Sequence, residues 1–266
     1  MSNKKVRHVL GLSGGKDSTA LALYLKDKVA DMEYFFCDTH KELPETYEFL
    51  ARLELRLGKK INILCDERGF DHWLQVYGGY LPSPKARWCT KQLKIIPLEK
   101  FIGEDEAVSY IAIRADEDRV GYISTKVNIK PVFPFMKNGL VKRDIIRILD
   151  ENGVGMPQYY SWRSRSGCYF CFFQRKIEWV RLSEIHPDLF SSAVRYEQEH
   201  EDGRRFSWNQ DESLLQLLSR KEKIIEEFHK TALRKEKMEV NKPLVEVFSV
   251  GIDEEDAGDI CTFCHL

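Results

Sequence analysis

Ser13-Gly14-Gly15-Lys16-Asp17-Ser18 packs two glycines, two hydroxyls, a cation and a carboxylate into six consecutive residues. Adjacent glycines let backbone N–H groups converge on an anion with no Cβ in the way. Lys16 adds a full positive charge, and Ser13 and Ser18 add hydroxyl donors. Asp17 would repel a phosphate directly, so its natural work is to hold Mg2+ or to orient a partner group. Two common phosphate-loop patterns are excluded. Leu10 stands where G-x-x-x-x-G-K-[ST] needs its first glycine, Asp17 follows Lys16 where that pattern needs Ser or Thr, and G-x-G-x-x-G is absent.

Cysteine supplies the second set of chemistry-bearing residues. There are seven, Cys37, Cys65, Cys89, Cys168, Cys171, Cys261 and Cys264, and the last four form two C-x-x-C pairs. In a reducing compartment such pairs point to metal, cluster or redox chemistry. Two knuckles, Cys168/Cys171 and Cys261/Cys264, suit a structural Zn2+. Cys37 and Cys65 lie in strand patterns and read as core residues.

The elements that must position these groups are legible as alternating patterns. "VRHVLGLS" (6–13) is a buried strand running into the glycine loop, and 16–30 is a helix that Ser13 or Asp17 could cap. The helix N-terminus then adds its positive dipole end to the loop. Further strands are predicted at 32–39, 60–66, 107–115 and 130–135, with helices at 43–58, 90–102 and 139–153. Pro97 must kink or restart the second of those helices. Strands alternating with helices imply a parallel sheet covered on both faces. After about residue 160 the pattern becomes amphipathic and helical, notably over 212–237, which divides a nucleotide-binding α/β domain (1–160) from a cysteine-containing, mainly helical region (161–266).

Composition excludes several classes. The 266 residues carry a formal net charge of -1, so no global basic field draws the chain to nucleic acid and any such contact must be a local patch. No apolar run approaches the ~20 residues of a membrane helix, and the start has no signal-peptide pattern, which predicts a cytoplasmic protein without membrane association.

S-G-G-K-D-S at a strand–helix junction resembles the PP-loop of ATP pyrophosphatases. Further segments resemble the phosphoadenosine-phosphosulfate (PAPS) reductase-like family in order: "CDTHKELPETYEFL" its D-T-G-x-x-x-P-E-T, "WCTKQLKIIPL" its C-[ST]-x-x-L-K-x-x-P-L, "AIRADEDR" its G-x-R-x-x-E-x-x-R and "RSGCYFC" its R-x-G-C-x-x-C. The resemblance implies a doubly wound, five-stranded, mainly parallel sheet of the adenine nucleotide alpha hydrolase-like kind, binding ATP with Mg2+ at the carboxyl ends of its strands. By matched position, Ser13, Gly14, Gly15, Lys16, Asp17 and Ser18 hold phosphates, and Asp38 and Thr39 lie near the nucleotide. Lys16, Asp17, Arg114, Glu117 and Arg119 are the implied catalytic set. His40 departs from the family's glycine, which raises a question about the local backbone.

Cluster-bearing members of the family carry a Cys-Cys pair, about eighty residues, then C-x-x-C. Here Cys89 lies 79 residues before Cys168 and Trp88 replaces the pair's first member. Cys89, Cys168 and Cys171, completed by Cys261 or Cys264, are thus the implied ligands of a [4Fe–4S] cluster, with the zinc knuckle as the rival. The intact K-D-S ending resembles ATP-cleaving members, not the sulfonucleotide reductases. The implied activity is an ATP pyrophosphatase (ATP to AMP and pyrophosphate) that adenylates an acceptor oxygen for sulfur incorporation. Its closest sense is the ATP pyrophosphatase component of DNA phosphorothioation, partnered by a cysteine desulfurase and DNA. A PAPS reductase-like enzyme and a non-catalytic nucleotide-binding subunit with a zinc site stay open. Arg163, Arg165, Arg175 and Lys176, interleaved with aromatics, are the candidate polynucleotide contacts.

Overall fold

The computed structural model of the chain describes residues 6–119, 126–199, 205–209 and 211–240. Five strands form one sheet in the order β3-β2-β1-β4-β5, every neighbouring pair parallel. They are β1 (Arg7–Gly11), β2 (Met32–Cys37), β3 (Ile61–Leu64), β4 (Ala107–Tyr110) and β5 (Ile129–Val132). This is the parallel sheet that the alternating pattern predicts and the doubly wound, nucleotide alpha hydrolase-like order that the resemblance implies. Strand order reverses between β1 and β4, so the crevice at their carboxyl ends is the topological switch point where such sheets bind ligands.

Period-two alternation gives each strand two covered faces. Leu10, Leu12, Tyr34 and Phe36 join α1 (Lys16–Leu25), α2 (Pro44–Leu57) and later α7 (Lys142–Glu151) in one core. Val9, Phe35 and Cys37 face the opposite side with Leu98, Ile102, Ile111 and Ile113. Cys37 is therefore a core residue, and burial raises its thiol pKa to about 12. Cys65 is exposed instead, because β3 is an edge strand and ends one residue earlier.

Between β3 and β4 run α3 (Gly69–Val76), α4 (Trp88–Thr90), a π turn (Lys91–Ile95) and α5 (Ile96–Ile102). Pro97 restarts the helix as expected, sitting in the first turn of α5 where its missing N–H costs nothing, while the π turn absorbs the offset. β4 stops at Tyr110, short of the expected 107–115, because its neighbours leave the sheet there: β1 turns into the glycine loop and β5 turns into α6 (Pro134–Lys137). Ile111 N–H makes one last bond, to Val132 O at 2.9 Å.

Beyond a 3-10 turn (Gln158–Ser161) lie α8 (Lys176–Ile185), α9 (Pro187–Tyr196), a two-residue hairpin β6 (Gln198–Glu199) and β7 (Arg205–Phe206), α10 (Leu214–Ser219) and α11 (Lys221–Val240). The helix expected over 212–237 is two helices. Arg220 breaks it at φ -116°, ψ 26°, where its guanidinium is drawn back to Glu212 at 2.5 Å. A third core joins this region to the first: Trp179, Phe190, Trp208, Leu214 and Leu217 pack with Leu43, Phe70, Trp88 and Leu93. Among the described residues, no helix is long and apolar enough to cross a membrane.

Candidate nucleotide site

β1 delivers the chain into the glycine loop at the switch point, and the loop's geometry needs both glycines. Gly14 has φ +74°, and a Cβ there would lie 2.7 Å from Thr46 Cγ2; a Cβ on Gly15 would lie 2.7 Å from Ser166 Oγ. α1 begins at Lys16 with Gly15 as N-cap and no side-chain cap. Neither Ser13 nor Asp17 caps it, contrary to expectation. Ser13 Oγ instead accepts the Gly15 N–H at 3.3 Å and lies 3.1 Å from Ser18 Oγ. Ser18 Oγ in turn accepts the Ser13 N–H at 3.2 Å and donates to Gly15 O at 3.3 Å. Both hydroxyls brace the loop. The uncapped amides at the start of α1 and the positive helix end are what the loop offers an anion.

Asp17 sits between two cations. Its Oδ2 is 2.7 Å from Lys16 Nζ and its Oδ1 is 3.1 Å from Arg114 Nη1, which arrives from the other side of the switch point beyond β4. Arg114, 2% exposed, also holds Asp116 at 2.9 Å and Glu117 at 3.3 Å, and Glu117 pairs with Arg119. Lys16, Asp17, Arg114, Glu117 and Arg119 therefore form one continuous buried ion network. Of the two roles open to Asp17, the geometry shows the orienting one: both carboxylate oxygens fix cations. Among the described residues no group of three His, Cys, Asp or Glu side chains is disposed to hold a metal ion.

The carboxyl end of β2 forms the neighbouring wall. Asp38 Oδ1 accepts the Tyr47 hydroxyl at 2.8 Å and the His40 N–H at 2.7 Å, and His40 Nδ1 lies 3.3 Å from Asp38 Oδ2. His40 has φ +57°, the single positive-φ non-glycine among the described residues. The departure from glycine therefore keeps a left-handed backbone, which costs an L-residue about 1–2 kcal/mol, and the two Asp38 contacts offset it. Thr39 Oγ1 donates to Glu42 Oε1 at 2.8 Å and lies 3.2 Å from Cys168 Sγ.

Cys168 faces this carboxylate as a thiol, its Sγ 3.7 Å from Glu42 Oε1. Burial, and then the Glu42 charge, push its pKa well above the ordinary thiol value, against a smaller pull from Lys94. Cys171 N–H bonds Cys168 O at 3.0 Å in the C-x-x-C turn, and Cys89 joins the same core from α4. As placed, Cys89, Cys168 and Cys171 do not form a three-ligand set. Cys261 and Cys264 lie outside the described residues, and with them the second knuckle.

The basic stretch divides. Arg163 is 1% exposed and donates to Gly167 O at 2.9 Å and Cys168 O at 2.7 Å, so it props the C-x-x-C loop and is withdrawn as a polynucleotide contact. Lys176 pairs with Glu212 at 2.8 Å, and Arg175 with Glu178 at 3.2 Å. Among the described residues Arg165 has no ion pair: its guanidinium lies 4.9 Å from the Phe173 ring centre, where Arg87 also sits at 5.1 Å.

Several residues the sequence reading passed over complete the site. Tyr159 donates to Gly14 O at 2.7 Å, Tyr160 accepts the Lys16 N–H at 3.2 Å, and Ser166 donates to Ser13 Oγ at 3.1 Å. Thr46 and Glu42 fell inside a matched segment without being singled out. The run "QYYSWRSRS" signalled them only as aromatic and hydroxylic residues just ahead of the cysteine pair.

Residues 7–137 match the sequence model of the phosphoadenosine phosphosulfate reductase domain. An uncharacterised protein of Methanocaldococcus jannaschii is 25% identical over 224 residues, covering 80% of this chain and 51% of the relative. The tRNA-specific 2-thiouridylase MnmA of Actinobacillus succinogenes is 28% identical over 125 residues, 41% of this chain and 32% of its own. The chain thus spans about half the length of the first relative and a third of the second. Among solved structures, the PAPS reductase of Candida auris in its phosphate complex aligns with TM-score 0.49 at 13% identity, over 62% of this chain and 82% of that one.

Proposed function

We propose that this chain is an ATP pyrophosphatase that adenylates an acceptor oxygen for sulfur incorporation into nucleic acid, with DNA backbone phosphorothioation as the specific case. The observation that carries the reading is the intact Ser13–Ser18 loop at the switch point, with Arg114 reaching across to Asp17 at 3.1 Å. A loop of this shape suits a pyrophosphate leaving group. The acceptor oxygen attacks the α-phosphorus, the bond from that phosphorus to the β-bridging oxygen breaks, and pyrophosphate departs with its Mg2+. The outer sulfur of a persulfide delivered by a cysteine desulfurase then displaces AMP from the activated acceptor, and a second thiol attacks the inner sulfur, breaking the S–S bond as a disulfide and leaving the outer sulfur on the acceptor.

This chain's residues act by position and charge. The α1 amides and Lys16 take the growing negative charge on the leaving group, and preorganised donors of this kind contribute a few kcal/mol to the transition state. Asp17 holds Lys16 and Arg114 so that neither must be recruited during the step. Arg87 and Arg165 around Phe173 offer the local cationic and aromatic patch that a nearly neutral chain needs for a polyanion. The 28%-identical thiouridylase relative supports a nucleic acid as acceptor.

A second reading, a PAPS reductase-like enzyme acting on a small sulfonucleotide, is favoured by the domain match itself. Polynucleotide binding separates the two. Under the first reading, duplex DNA or RNA is retained at low salt and released steeply as salt rises, because bound phosphates shed counterions. Under the second, no polynucleotide is retained and adenosine phosphosulfate binds in its place.

A further inference from the structure

Tyr160 reaches the phosphate loop from outside the segment matched to the reductase domain. Its hydroxyl accepts the N–H of Lys16, the first residue of α1, at 3.2 Å. The phenol's own proton has no acceptor among the described residues. The Lys16 ammonium lies 5.9 Å from the centre of the same ring, so cation and phenol border one volume. Burial, and then the Asp17 charge, raise the Tyr160 pKa, which keeps the hydroxyl protonated and a donor throughout the physiological range.

Neighbouring side chains are already spent. Tyr159 stacks on Tyr160 with ring centres 5.1 Å apart, but its hydroxyl is committed to Gly14 O at 2.7 Å. Ser166 donates to Ser13, Ser13 lies against Ser18, and Ser18 donates to Gly15 O, a chain of hydroxyls that ends on the loop's own backbone. Tyr159 and Ser166 therefore pin the 158–168 segment onto the loop, and Tyr160 is left with a proton to give.

We propose that Tyr160 is a phosphate-binding residue: it donates its phenolic proton to an oxygen of the phosphate group held at the start of α1. The loop serines, turned inward, do not supply that donor. The assignment rests on the reading of Ser13–Ser18 as a pyrophosphate loop, and its test is built to separate the two.

Calorimetric titration of the full chain with inorganic pyrophosphate and Mg2+ measures the site without requiring turnover. Tyr160→Phe keeps the ring and removes the proton. It should weaken pyrophosphate binding about tenfold, the ratio for losing one hydrogen bond to a charged group, with only a small drop in melting temperature from the Lys16 N–H that loses its acceptor. Lys16→Ala should weaken it further. Unchanged or tighter binding in Tyr160→Phe, with binding lost in Lys16→Ala, overturns the assignment of Tyr160 and leaves the loop standing. Undiminished binding in both variants overturns the loop itself.

Discussion

At the scale of single residues, environment separates side chains that look alike in the sequence. Arg163 and Arg165 are two positions apart in the same basic, aromatic run, and one is a buried prop while the other is half-buried over the Phe173 ring. Arg163→Ala strips two buried carbonyls of a charged donor, each such bond contributing about 1.5–3 kcal/mol. It should destabilise the chain by ~2–4 kcal/mol in urea unfolding. Arg165→Ala should leave stability within about 0.5 kcal/mol and lower polynucleotide affinity. Equal effects on stability would dissolve the distinction. This difference was not legible beforehand, because charge and aromatic spacing report composition and not which way a loop folds. His40 shows the converse. The sequence marked it as a departure, and only the backbone angle, with the Asp38 contacts, shows that the departure preserves the turn.

At the scale of elements, the loop and the helix behind it act as a unit. Gly14→Ala would place a methyl 2.7 Å from Thr46 Cγ2 in a left-handed backbone. Left-handed strain alone contributes about 1–2 kcal/mol, so the variant should unfold earlier and bind pyrophosphate poorly, whereas Gly58→Ala, with open space around it, should show only the strain. In the helical region, Glu212 ties the first residue of α8 to both ends of α10 through Lys176 and Arg220. The hydrogen bond from Arg220, then that from Lys176, hold its pKa down to about 2 from the usual 4.5. A carboxylate depressed on folding stabilises above its unfolded pKa and loses that contribution as pH falls toward the folded one. Tryptophan fluorescence near Trp208 and Trp179 should therefore report loosening between about pH 4.5 and 2, absent in Glu212→Gln, which is already loosened at neutral pH. A transition of equal size in both would remove the role. Period and punctuation predicted most α/β elements here. They missed α3, the β6–β7 hairpin and the break at Arg220, because a short helix, a two-residue strand and a break pulled by a side chain leave little periodic trace.

At the scale of the whole molecule, the parallel sheet and the loop at its switch point were legible in the sequence. Strand and helix alternation fixes the layers, and the glycine loop follows β1 at the switch point. What was not legible is the closure of the site by residues 158–168. That contact spans more than 140 residues of chain and depends on a core shared between Trp88, Phe70 and the C-terminal helices. The bond that is cleaved decides whether the proposed chemistry holds. Product analysis of ATP labelled at the α- and γ-phosphates, incubated with the full chain, Mg2+, duplex DNA and a sulfide donor, identifies it. AMP and pyrophosphate should form in equal amounts, at a rate lowered about a hundredfold or more in Lys16→Ala through the loss of a few kcal/mol of transition-state stabilisation. ADP and orthophosphate as the products would contradict it.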